Sequence, residues 1–296
     1  MEKLRVRENK KIGYYAFIFK RLGKPALINE SFVFSTSFNS NRLSQGKIGE
    51  FAIFTADLLK DYDKAEKYFL QAIERDPENA FWIGNYAIFI HFYKKDFNLA
   101  EEYYQKSLKL YEDDAFLKFN YAQLVLFYKS DYDLVEKLMK EVLMLEPNNS
   151  KFKCSYAAFL FKVRKKFAQA EKLCEEVISK NDKNPSWFAT YAQLKLLKGE
   201  QTEAKKLIDR AFELEPSDEL SLELWFYLYA HYEENREEAE AKIIEHLSKG
   251  IKSFVWGLQQ NVVVAIFSGH PESHKLEEYA KQIMGELLQK TDNFTE

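Results

Sequence analysis

Tyr-Ala recurs down this chain at a fixed step: Tyr86-Ala87, Tyr121-Ala122, Tyr156-Ala157 and Tyr191-Ala192 stand 35 residues apart. A second series keeps the same step at Ala65-Glu66, Ala100-Glu101, Val135-Glu136 and Ala170-Glu171, and Ala204 and Ala239 continue it after one step of 34. Self-similarity at this period marks a stacked-repeat solenoid, in which each unit buries its apolar face against its neighbours. Such an array presents surface and seldom carries chemistry of its own.

The second half of each unit is a one-sided helix. Apolar residues fall at Ala65, Tyr68, Phe69, Ala72 and Ile73, and again at Val135, Leu138, Met139, Val142 and Leu143. This i, i+3, i+4, i+7, i+8 spacing is an amphipathic stripe, and Glu, Lys and Gln fill the outer positions. Asp63, Asn98 and Asp133 each precede a Glu by three, which predicts a capping box at the helix start. Pro77, Pro147 and Pro216 predict its stop. The first half of each unit, as in residues 80–95, is apolar on almost every side, so it is buried on several faces. Tyr86 and Ala87 face the partner helix, Trp82, Phe89 and Tyr93 meet a neighbouring repeat, and Gly84, Ile88, His91 and Phe92 turn inward. The extra residue of the 35-residue units falls in the turn between the two helices.

Trp82, Ala87 and Ala100; Phe152, Ala157 and Ala170; and Trp187, Ala192, Ala204 and Pro216 occupy the places that recur in tetratricopeptide repeats, and the chain resembles that family over about residues 45–250. The resemblance implies an all-α helix-turn-helix solenoid wound as a right-handed superhelix, with no catalytic activity and no cofactor. Half-a-TPR repeats are the second family resembled; their Trp-to-Tyr spacing is one shorter. Pentatricopeptide repeats share the 35-residue length, but their regular Gly and Met positions are absent. The organisation expected is a basic segment over 1–44, with a capping helix and irregular or strand structure around Phe32–Phe38. Six repeats over 45–252 and capping helices over 253–296 follow.

Few Gly (10) and Pro (6) in 296 residues disfavour turn-rich β architectures. Net charge is only −3, but residues 1–47 hold ten Lys/Arg against three Glu, a segment of +7. No phosphate-binding loop, nucleophile elbow or HExxH is present. His270 and His274 are four apart, but Pro271 marks a helix start there, so a metal site is not expected. Cys154 and Cys174 fall in facing helices of one repeat and imply no disulfide framework. With no secretory leader visible and no apolar run of membrane-spanning length, a cytoplasmic location is expected.

In tetratricopeptide repeats the inner face commonly receives a peptide or helix. That resemblance points to Ile88, His91, Phe92, Phe119, Gln123, Leu126, Phe127, Phe161 and Gln193, an apolar and aromatic band with a few amides. The competing structural reading has these large side chains packed on adjacent first helices. The corresponding positions lack the Lys, Asn and Arg of repeats that grip a chaperone's acidic tail. The expected function is a non-enzymatic scaffold for a partner protein's peptide or amphipathic helix. Two alternatives stand beside it. One is nucleic-acid association through Arg5, Arg7, Lys10, Lys11, Lys20, Arg21 and Lys24, with Tyr14, Tyr15 and Phe17 stacking on bases. The other is a peptide-sensing regulator.

Overall fold

The computed structural model describes residues 45–180, 183–253 and 257–285. The basic residues Arg5 to Lys24 and the Phe32–Phe38 stretch lie outside it. The described residues form fourteen α-helices and no strand. They pair in chain order: α1 Gln45–Phe54 with α2 Tyr62–Arg75, α3 Ala80–Phe89 with α4 Phe97–Leu110, and α5 Ala115–Leu124 with α6 Tyr132–Leu145. Next come α7 Ser150–Lys162 with α8 Phe167–Ile178, α9 Pro185–Leu197 with α10 Gln201–Glu213, α11 Asp218–His231 with α12 Arg236–Ser248, and α13 Leu258–Phe267 with α14 Ser273–Met284. The described residues divide into two compact units, one ending at Trp82 and one beginning at Ile83, with the division inside α3.

In the first unit the stripe of α2 is buried as read, with Ala65, Tyr68, Phe69, Ala72 and Ile73 all inside. Phe51 meets the Tyr68 ring edge-on at 5.1 Å. Gly49 is small of necessity, because a Cβ there would fall inside the Trp82 ring.

In the second unit the first helices stack through a position that recurs every 35 residues. Gly84 packs on Leu117, and Phe119 packs on Phe152 with ring centroids 4.9 Å apart. Each first helix also meets its own second helix, as where Tyr86 meets the Tyr103 ring edge-on at 4.8 Å. The last three pairs share one apolar cluster in which Leu222, Phe226, Tyr227, Leu258, Val262, Leu276 and Ile283 are buried together.

The extra residue of the 35-residue units is taken up at the end of the first helix. There the ladder widens to i→i+5 bonds over Thr55–Leu59, Ile90–Lys94 and Val125–Lys129. Lys95 N donates to Ile90 O at 2.7 Å and Ser130 N to Val125 O at 2.9 Å. Lys60, Lys95, Ser130 and Lys165 then take left-handed φ of 56–58° at the same step. The 35-residue unit of α7 ends without a widened turn, Val163 N donating to Phe159 O, and the 34-residue step after it reverses through Gly199.

The caps differ from the sequence expectation. Asp61, Asp96 and Asp131 are the N-cap residues, accepting from Lys64, Leu99 and Leu134 N at 3.0–3.1 Å. Asp63, Asn98 and Asp133 lie two residues further on, within the first turn, so Glu66, Glu101 and Glu136 are too far along to close a capping box. The left-handed residue just before each Asp sets the helix start two residues earlier than the Asp-x-x-Glu pattern suggests.

Candidate functional site in the first-helix groove

First helices α5, α7, α9 and α11 line a cavity of about 290 Å³ in the second unit. Its walls carry Gln123, Phe127, Ser155, Ala158, Trp187 and Thr190, and its far end carries Lys162, Gln193 and Glu223. The Trp187 Nε1–H meets no acceptor among the described residues. Thr190 is already engaged, its Oγ1 donating to Ser186 O at 2.9 Å.

Of the nine inward residues read from the sequence, Gln123, Leu126, Phe127 and Gln193 line this cavity. Phe119 and Phe161 are fully buried and offer no surface in this conformation. Phe119 sits on Phe152 at the stacking position, for the reason that seats Gly84 there: every third to fourth residue of a first helix must face the next first helix. Gly84 is therefore a packing residue rather than an inward one. Ile88 and His91 are also buried; His91 Nδ1 lies 3.2 Å from the Tyr104 hydroxyl, and burial pushes its pKa down to about 4. Phe92 is 43% exposed and stacks on His91 at 4.2 Å, outside the cavity.

Lys162, which the repeat period places on the inner face, and Glu223 are functional candidates outside the nine inward residues. Both are buried in the cavity wall. Burial lowers the Lys162 pKa, with the Glu223 charge opposing. Burial raises that of Glu223, with the Tyr227 hydroxyl donating to its carboxylate and Lys162 opposing. A sequence signal existed for each. Lys162 takes the place that Phe92 and Phe127 hold, and Glu223 takes the place of Ala189 and Cys154. A charge at a position otherwise apolar or small is the mark that periodicity alone passes over.

No grouping of metal-ligating side chains occurs among the described residues. His270 lies in the turn before α14, which starts at Ser273 rather than at Pro271. The His270 Nε2–H donates to Tyr229 O at 3.2 Å, and its Nδ1 accepts from Glu272 N. Cys154 and Cys174 are buried free thiols, and burial pushes Cys174 up to about 12. No described helix is long and apolar enough to cross a membrane.

Residues 55–79 and 89–114 match the family model for the tetratricopeptide repeat. Those two segments are tetratricopeptide repeats. Three solved structures carry the same fold. A tetratricopeptide repeat protein from Parabacteroides merdae is 15% identical, with a TM-score of 0.57 over 81% of this chain and 99% of its own. PilW, a type IV pilus biogenesis factor, is 16% identical, with a TM-score of 0.57 over 81% of this chain and 100% of its own. Pseudomonas aeruginosa PilF is 18% identical, with a TM-score of 0.56 over 79% and 96%. No curated protein sequence matches this chain.

Proposed function

We propose that this protein is a non-enzymatic scaffold that holds a segment of a partner protein in the groove formed by its first helices. The observation that carries this reading is the cavity between α5 and α11, which joins an apolar wall to spare polar groups. Phe127, Leu126 and Trp187 offer apolar anchoring surface, and Gln123 and the Trp187 indole N–H offer hydrogen bonds to a peptide backbone. Recognition sites of this kind take most of their affinity from a few aromatic anchors in well-packed pockets. Lys162 and Glu223 cancel in charge, which favours a neutral segment over an acidic tail. The buried free thiols fit a reducing, cytoplasmic location.

Phe127 is the discriminating residue, being half-buried at the cavity rim whereas Phe119 and Phe161 are core. Intact protein and a Phe127→Glu variant are immobilised and exposed to extract of the native host. The expected result is a protein captured by the parent and lost from the variant, with the same far-UV helicity in both. Capture that survives Phe127→Glu but falls steeply with salt would instead place binding on the basic N-terminal residues.

A further inference from the structure

The far end of the groove is covered by the chain itself. Helix α13 packs directly on α9, passing over the intervening first helix. Two hydrogen bonds make the seam: Gln193 Nε2 donates to Gly257 O at 3.3 Å, and Gln260 Nε2 donates to Lys162 O at 2.9 Å. Gly257 lies flat on the lysine stem. A Cβ built there would stand 3.2 Å from Lys162 Cδ and 3.7 Å from Gln193 Nε2. Its φ of 94° is open to glycine and strained for other residues.

In-register comparison shows what this seam does. At one recurring position Phe92 is 43% exposed and Phe127 half-buried, whereas Lys162 is 6% exposed. At another, Gln123 is half-buried and Gln193 only 1% exposed. Residues 257–260 lie on Lys162 and Gln193. They offer the groove a backbone carbonyl and a side-chain amide, the groups a bound peptide would offer.

We propose that residues 257–260 are a resident occupant at the far end of the groove, so that a partner reaches Lys162 and Gln193 from that end only by displacing them. This rests on the groove reading above and adds its regulation. The seam is suited to opening. It lies at the first turn of α13, outside the contacts of the later turns, and Ser253 N is tied separately to Ile283 O at 3.0 Å. Unwinding that turn gives up the buried Leu258 but leaves Val262, Ala265, Leu276 and Ile283 in the shared core.

The test is limited acylation of the full-length protein with acetic anhydride, with Lys162 followed by mass spectrometry. Two variants are compared with the parent: Gly257→Val, whose side chain meets the Lys162 stem, and Gln260→Ala, which removes one seam bond. The parent is expected to label Lys162 slowly beside the exposed Lys140. Either folded variant is expected to label it about tenfold faster, as a locally opened segment would. A synthetic peptide of residues 252–262 is then expected to bind Gly257→Val and not the parent; if that variant does not fold, the peptide is tested on Gln260→Ala. The proposal is overturned if Lys162 reacts as slowly in folded variants as in the parent. It is equally overturned if an opened variant ignores the peptide. Neither result touches the Phe127 experiment, which reads the other end of the groove.

Discussion

Glu101, Glu136 and Glu171 stand 35 residues apart, and each is held by cations from the next repeat. Lys129 Nζ lies 3.1 Å from Glu101, Arg164 Nε 2.8 Å and Lys166 Nζ 2.7 Å from Glu136, and Lys198 Nζ 2.7 Å from Glu171. The hydrogen bond from Lys166, aided by Lys140, holds the Glu136 carboxyl down at about 2. A depressed acid pKa stabilises the fold above the unfolded value near 4.5, and that contribution is lost as pH falls toward 2. Glu136→Gln should therefore cost about 1–2 kcal/mol at pH 7, after allowance for solvent screening. In urea titrations its deficit should shrink as pH falls from 4.5 and vanish at about pH 2. The histidines act in the same direction, over a higher stretch of the pH axis. Burial lowers both His91 and His231 to about 4, so the unfolded chain takes up protons first as pH falls below 6.5. Stability is full above pH 6.5 and falls between 6.5 and 4, by up to about 3 kcal/mol per histidine. His91→Leu matches the Leu126 and Leu196 of other repeats, and it should flatten part of that slope while leaving helicity unchanged.

At the scale of the element, the turn between paired helices is where local strain collects. Ser130 is exposed and left-handed with φ of 56°, a conformation that costs a side-chain-bearing residue about 1–2 kcal/mol. Ser130→Gly should raise the urea midpoint by the equivalent of about 0.5–1 kcal/mol, and Ser130→Val should lower it by more. Spacing showed that one extra residue had to sit in this turn. It did not show that the residue would widen the helix to i→i+5 bonds, because that depends on where the second helix must land to bury its stripe. The opposite pressure acts at Gly84. A Cβ there would lie 2.9 Å from both Leu117 Cδ1 and Ser107 Oγ, so Gly84→Val should destabilise by about 1–3 kcal/mol through overpacking.

At the scale of the whole molecule, a repeat array is held by nearest-neighbour interfaces, and its cooperativity follows how far each core extends. In the second unit α9 to α14 share one buried cluster. Those helices are expected to open together in native-state hydrogen exchange. Leu276→Ala, a fully buried truncation, should cost about 2–5 kcal/mol and lower protection in α11 and α12 as well as α14. Protection lost from α13 and α14 alone would show that the terminal pair is an independent cap.

The sequence by itself determined the helix pairs, their order and which stripe of each second helix is buried, because those follow from a period that every repeat restates. It also placed Gln123, Leu126, Phe127 and Gln193 on the groove. Tertiary structure alone decided that Phe119 belongs to the stacking interface, that Lys162 and Glu223 close one end of the cavity, and that Gly257 and Gln260 lie across it. The physical reason is separation along the chain. Periodic burial is a local property, legible within one or two repeats. The contact of Gln260 with Lys162 joins residues 98 apart, and it depends on where the last helix pair comes to rest.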